Sequence, residues 1–367
     1  MKDINRRKAL GMTAAAVGTS VFSPAYAQSL NKRKIAFTLL FAPGGDVGWD
    51  YEHVRGLEQA RAAYGDRAQI DAFHEVAEWG NGDKEKFQEL VDDGYDMIFT
   101  TSAGYMKSTI EVAQANPNVI FESCAGYIRA ANVATYNTRW YEGRAVEGFL
   151  AATMSKTNRI GYVGAYPIPQ VIRGINAAYL AAKSVNPDIV FDIAWLNTWY
   201  DYEQEGAVAR QMIERGADVL MQHTVSTAVV EAAQEKGIYS FGQGSDMSHY
   251  APDAVMTSMI NNWGPYYVQR IGEFLDGTWE SKDTWGGLGA QMVAMAPLLE
   301  TLPSRTVLQA QDVIARLSSG EEHAYTGPVR LQDGSGWLAP GETASDSRLL
   351  TMDYYVDGIS SVYPSEG

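Results

Sequence analysis

The chain is 367 residues long, with 44 acidic against 29 basic residues and a formal net charge of -15. So acidic a surface repels nucleic-acid phosphates and anionic lipid, and neither is expected as a partner. A single cysteine, Cys124, excludes an internal disulfide, and no run of apolar residues is long enough to predict a membrane span.

In chain order, the first expectation is a cleaved signal peptide over residues 1–27. Arg6 and Arg7 make a basic start, an apolar stretch runs from Ala9 to Phe22, and Ala25-Tyr26-Ala27 supplies the small residues of a cleavage site. The stretch is shorter than the roughly 20 apolar residues of a spanning helix. Paired arginines leave both the Sec and the Tat export routes open. No cysteine stands at the cleavage site to carry a lipid, so the expectation is a periplasmic protein that is not lipid-anchored. Removing Lys2, Arg6, Arg7 and Lys8 with only Asp3 makes the remainder more acidic still.

Residues 34–41 then predict a buried strand, and 51–64 a helix with Val54, Leu57, Arg61 and Tyr64 at helical spacing. Strands at 68–73, 95–101, 118–122 and 133–136 alternate with helices at 83–91 and 107–115. The second of these helices stops at the breaker pair Asn116-Pro117. The pattern restarts with helices at 140–154, 169–183, 202–215 and 227–236, interleaved with strands at 159–163, 189–196, 218–222 and 239–242. A strand at 254–259, a helix at 266–275, a crossing strand over 288–295 and a helix at 304–317 complete the chain.

Two βα units in tandem predict an α/β fold of two lobes, each a parallel sheet flanked by helices, with a ligand cleft between them. Lobe one is expected to hold residues 33–137 and 256–287, and lobe two 138–255 and 288–367, with three crossings as the hinge. Ligands of such sheets sit beyond the carboxyl ends of the strands. The loops there are rich in aromatics. Trp49 follows the first strand, Tyr105 follows Thr100-Thr101-Ser102, Trp195 and Trp199 flank Asn197, and Trp263 lies in Asn261-Asn262-Trp263-Gly264-Pro265. Aromatic faces on both sides of a slot would sandwich a planar ring, at about 1–3 kcal/mol per stacked base. Asp246, Asn137, Ser102 and Gln222 are placed to bond its edge. The competing roles are structural: a loop tryptophan can peg its own lobe's core, and Asp246 can cap a helix or brace its loop.

Catalytic patterns are scarce. The chain has no G-x-S-x-G, no H-E-x-x-H and no phosphate loop, and Gly242-Gln243-Gly244 is only the start of a dinucleotide fingerprint. The five histidines, His53, His74, His223, His249 and His323, lack ligand spacing, so neither a metal nor another cofactor is expected. His223 with Asp246 could form an acid–base pair, although a polar lining residue is the commoner role.

These segments carry a resemblance. Gly45-Asp46-Val47-Gly48-Trp49-Asp50, Ile98 to Met106, Tyr136-Asn137 with Tyr141-Glu142-Gly143-Arg144, and Gly242-Gln243-Gly244-Ser245-Asp246 are similar to segments of the basic membrane protein family. That family comprises substrate-binding proteins and includes the purine nucleoside receptors of ABC importers. The resemblance spans nearly all of the chain after the signal peptide. It implies the type I periplasmic binding fold and a non-enzymatic receptor, a monomer that serves an ABC permease in the inner membrane. It implies stacking on Trp49 and Trp199, with Asp246 as the acidic contact to the purine edge. Trp263 stands where nucleoside receptors carry a lysine, which implies a smaller guest, a purine base such as adenine, with Tyr105 and Trp263 trimming the pocket. A nucleoside receptor, a sensory binding module and an exported nucleoside hydrolase using His223 and Asp246 stay open as alternatives.

Overall fold

The computed structural model describes residues 32–364, so the expected signal peptide lies outside the described residues. The first lobe begins with β1 (Arg33–Thr38), α1 (Trp49–Tyr64), β2 (Ala68–Phe73), α2 (Asp83–Asp92) and β3 (Met97–Thr100). It continues through α3 (Met106–Ala115), β4 (Ile120–Cys124) and β5 (Val133–Thr138). The inner strands are apolar along their length because helices cover both faces of the sheet: all four residues of β3 are buried.

The second lobe repeats the plan with α4 (Trp140–Met154), β6 (Arg159–Gly164), α5 (Pro169–Val185), β7 (Val190–Trp195) and α6 (Tyr202–Glu214). Then come β8 (Val219–Gln222), α7 (Ala228–Lys236), β9 (Tyr239–Gly244) and β10 (Val255–Asn261). The chain next crosses back with α8 (Gly264–Leu275) and β11 (Asp283–Gly286), and returns with β12 (Val293–Met295) and α9 (Ser304–Ser319). A small hairpin of β13 (Val329–Arg330) and β14 (Gly336–Leu338) precedes α10 (Asp346–Leu350).

The sheet orders are β2-β1-β3-β4-β5-β11 and β7-β6-β8-β9-β10-β12. Each is one doubly wound parallel sheet closed by a strand from a later crossing, and only the β10–β12 pairing is antiparallel. This is the two-lobe α/β fold of type I periplasmic binding proteins. One boundary differs from the sequence expectation. The second crossing lies after Asn261 rather than at residue 256, because β10 pairs with β9 and β12 in the second sheet. An apolar strand suits either sheet by composition, and only its partners decide.

Each sheet has a core on both faces. In the first lobe α1 and α8 cover one face around Phe37, Phe99 and Tyr267, while α2 and α3 cover the other around Phe87 and Val112. In the second lobe α4 and α5 pack with α9 and the C-terminal segment, and α6 with α7 close the opposite face. The free thiol of Cys124 is buried in the first lobe.

A buried ion pair pins the returning segment. Glu122 on β4 receives Arg270 Nε at 2.7 Å, with neither side chain exposed. Tyr266 and Trp279 also donate to that carboxylate, each at 2.6 Å. Helices α4 and α5 approach so closely that a Cβ on Gly148 would overlap the Ala178 backbone carbonyl. Gly148→Ala should therefore destabilise the protein by about 1–3 kcal/mol through forced separation of the two helices. Urea unfolding should show a lower midpoint with an unchanged slope.

Candidate functional site

In both sheets the strand order reverses direction beside one central pair, and a doubly wound sheet opens its crevice there. In the first lobe that place is between β1 and β3, and in the second between β6 and β8. The loops leaving these four strands face each other across the cleft.

On the first-lobe side, Gly48 takes a φ of 94°, a left-handed value suited to glycine, and so turns the chain into α1. Trp49 opens that helix and its indole N–H donates to the Thr101 carbonyl at the end of β3, at 2.7 Å. Its ring packs against the cores of both lobes. One turn on, His53 is fully buried, with Nδ1 bonded to the Tyr267 hydroxyl. Trp263, which caps α8, stacks on the His53 ring at 4.9 Å and 4° and meets Trp49 edge-on at 5.6 Å. Burial pushes the His53 pKa well below its ordinary value, so the ring is neutral. Asp50 accepts from the Phe41 N–H at 2.7 Å, and burial raises its pKa to about 6.

Trp140 joins the two sides. It begins α4 just past the first crossing and donates its indole N–H to Asn261 at the second crossing. Its ring lies 5.8 Å from Trp49 and 4.8 Å from His223. On the second-lobe side, His223 follows β8, Trp199 lies 6.5 Å beyond it, and Tyr166 meets Trp199 edge-on at 5.2 Å. A run of rings thus passes from Trp263 through Trp49, Trp140 and His223 to Trp199.

Among the rings of this run several buried polar atoms have no hydrogen-bond partner in the protein: His53 Nε2, Trp263 Nε1 and both nitrogens of His223. A buried polar group left unpaired costs about 1–3 kcal/mol, so a concentration of them in one cleft marks a place for a guest with matching donors and acceptors. At the rim the lobes are tied together. Gly48 N–H donates to Ser245 Oγ at 2.6 Å, Tyr250 donates its hydroxyl to Asp46 at 2.7 Å, and His249 reaches the same carboxylate at 3.1 Å.

The residues singled out from the sequence fall into two groups. Trp49, Trp263 and Trp199 belong to the run of rings, but Trp49 and Trp199 do not face each other directly, since Trp140 and His223 stand between them. Gln222 is fully buried, its amide N–H groups donating to the Thr224 and Ser226 carbonyls at 3.0 and 2.8 Å. Asp246 is half-buried at the end of β9, where it accepts the Ser248 N–H at 2.9 Å. Asn137 accepts the Thr138 N–H at 2.8 Å. Ser102 is engaged with Glu78 and accepts the Gly104 N–H, capping a short turn. Tyr105 lies within the first lobe's core, with its hydroxyl on the Val76 carbonyl at 2.5 Å. Both are therefore occupied in holding their own lobe.

Sequence reasoning missed Trp140, His53, Asp50 and Glu52. Trp140 stands three residues past Asn137, so a slightly longer reading of that strand end would have included it. The other three lie inside a helix, where residue spacing does not say which side meets the cleft. His223 makes no hydrogen bond to Asp246, so no acid–base pair is assembled. Among the described residues no group of His, Cys, Asp and Glu gathers as metal ligands, and no helix is long and apolar enough to cross a membrane.

Comparison with known proteins places most of the chain in one family, whose members differ in the ligand their names give. The family described as ABC transporter substrate-binding protein, PnrA-like, matches residues 34–324. A purine-binding protein of Brucella abortus is 41% identical over 92% of this chain and 96% of its own length. A putative ABC transporter glucose-binding protein of Haloferax volcanii is 30% identical over 88% of this chain and 79% of its own. A solved ABC transporter solute-binding protein from Aeropyrum pernix K1 superposes with a TM-score of 0.67 over 82% of this chain and 93% of that one. At 18% identity it speaks for the fold alone.

Glu52 gives the site a measurable electrostatic signature. It is buried beside Arg55 at 3.0 Å, and burial pushes its pKa up to about 7, with the charge of Asp246 adding to the rise. The folded chain thus holds a proton that the unfolded chain releases near the ordinary value of 4.5. The contribution is fully present below that pH and is lost as pH rises to about 7. Glu52→Gln should remove this loss. From pH 4.5 to pH 8, urea unfolding should show the unsubstituted protein losing on the order of 2–3 kcal/mol relative to the variant.

Proposed function

The chain belongs to the PnrA-like family of ABC transporter substrate-binding proteins, and we propose that it captures a purine base between its lobes and delivers it to an importer's permease. The observation that carries this reading is the run of rings from Trp263 to Trp199 with unpaired polar atoms along it. Flat aromatic walls favour a planar guest, and unpaired donors and acceptors favour one with a polar edge. A sugar offers the second but not the first. The Brucella abortus purine-binding relative supports the same guest.

In this reading Trp49 and Trp140 hold one face of the base, Trp199 closes on it from the second lobe, and Trp263 fills the space a ribose would need. Asp246 accepts an N–H from the base's edge, and Asn137 lies at the same rim. Binding draws the lobes together, and the contacts of Asp46 and Gly48 with the second lobe hold them so. The closed receptor then acts on the periplasmic side of the inner membrane, as a monomer and without covalent chemistry, having reached the periplasm through the N-terminal signal peptide.

Isothermal titration against adenine, hypoxanthine, guanine, their nucleosides, glucose and amino acids tests the reading. Purine bases should bind more tightly than their nucleosides, and glucose should not bind. Trp49→Ala or Trp199→Ala should each weaken adenine by roughly 5- to 100-fold, the equivalent of one lost stacking face. Binding confined to sugars or amino acids, or purine affinity untouched by both substitutions, would overturn it.

A further inference from the structure

We propose that His223 is the specificity-determining residue of the second lobe, its imidazole reading the polar edge of the bound heterocycle. The inference rests on the purine reading above and adds to it a residue, a chemistry and a tolerance.

The geometry singles this histidine out. Of the five histidines, the other four each have a ring nitrogen engaged: His53 with Tyr267, His74 with the Phe41 carbonyl, His249 with Asp46, and His323 with the Tyr325 N–H. His223 has neither nitrogen paired although it is only 1% exposed. A histidine kept for structure alone is normally anchored through one nitrogen, since two unpaired buried nitrogens cost stability with nothing in return. Its backbone is fixed, the N–H donating to the Val163 carbonyl at 2.8 Å, which holds the residue at the mouth between β6 and β8. Its ring is tilted between Trp140 and Trp199 at 52° and 48°, so neither indole stacks flat on it.

The groups around it keep the ring neutral. Burial and the charges of Arg144 and Arg173 hold its pKa well below the ordinary value. A neutral imidazole carries one donor and one acceptor, and the two exchange with the tautomer. The edge of a 6-aminopurine presents a donor beside an acceptor, and a 6-oxopurine presents the same pair reversed. One nitrogen of His223 can answer the position-6 atom of either class by changing tautomer, donating to a carbonyl oxygen or accepting from an amino group. Asp246, an acceptor only, can take an N–H from either edge but cannot pair with the acceptor atom beside it. Tolerance at the position-6 atom, amino in one class and carbonyl in the other, therefore belongs to His223.

His223→Phe keeps a flat ring and removes both nitrogens. Calorimetry should show adenine and hypoxanthine weakened by similar factors, each roughly tenfold or more, as for loss of a well-made hydrogen bond to a buried group. The ligand-free variant should melt at a higher temperature than the unsubstituted protein, because a buried polar liability is gone, an effect that a purely structural histidine would reverse. His223→Gln, which retains a donor and an acceptor, should recover part of the affinity. If His223→Phe does not fold, the ring nitrogens of the unsubstituted protein decide. Saturating adenine should shift the 15N resonances that His223→Gln lacks, and unchanged resonances would overturn the proposal. Full purine affinity in His223→Phe would overturn this inference alone. Failure of the unsubstituted protein to bind any purine would overturn it together with the reading on which it rests.

Discussion

A carboxylate removed from water organises this molecule. Glu122 sits on an inner strand of the first lobe and is satisfied only by side chains of a segment that arrives after five of the second sheet's six strands. Arg270, Tyr266 and Trp279 all converge on it. A buried charge without its partner is far costlier than a missing contact, so α8 has little freedom over where it docks. That constraint reaches the cleft directly. The same helix carries Trp263 at its start and Tyr267 one turn on, and Tyr267 orients His53 beneath Trp49. The aromatic cluster of the first lobe is thus fixed from behind by a charge pair buried in the lobe's interior.

The second lobe uses a related device. Arg144 and Glu147 form an ion pair on α4 with neither side chain exposed, and Arg144 also holds the Gln222 carbonyl at the end of β8. Around the cleft itself burial works against charge. It pushes the Asp50 and Glu52 carboxyls up and the His53 and His223 rings down, each toward its neutral form. Such an environment favours an uncharged guest.

Much of this fold is legible in the sequence, because buried parallel strands must be continuously apolar and their covering helices amphipathic. The alternation from residue 34 to Gly242 therefore marks nearly every element in order. What the sequence does not reveal is partnership. Val255–Asn261 is as apolar as a first-lobe strand would be, and its place follows from pairing with β9 and β12. Proximity to strand ends singles out Trp49, Trp199 and Trp263, which the structure places in one run of rings. It also draws in Tyr105, whose hydroxyl is committed to Val76 inside its own lobe, and Ser102, which is engaged with Glu78. Whether a polar group is free for a ligand depends on which neighbours already hold it, and that information is tertiary. His53 depends on helix orientation, and spacing alone does not supply it.

The double crossing has a consequence for biogenesis. As the nascent chain lengthens, β5 stands as an open edge until β11 arrives to pair with it, and Glu122 waits 148 residues for Arg270. The first lobe cannot be completed vectorially, since its last helix and strand are made after the body of the second lobe. An unfinished lobe with an unpaired edge invites misassociation and holdase binding. Interleaving the lobes in this way defers completion of the first sheet until β11 has been made, so the two lobes must finish folding together rather than one after the other.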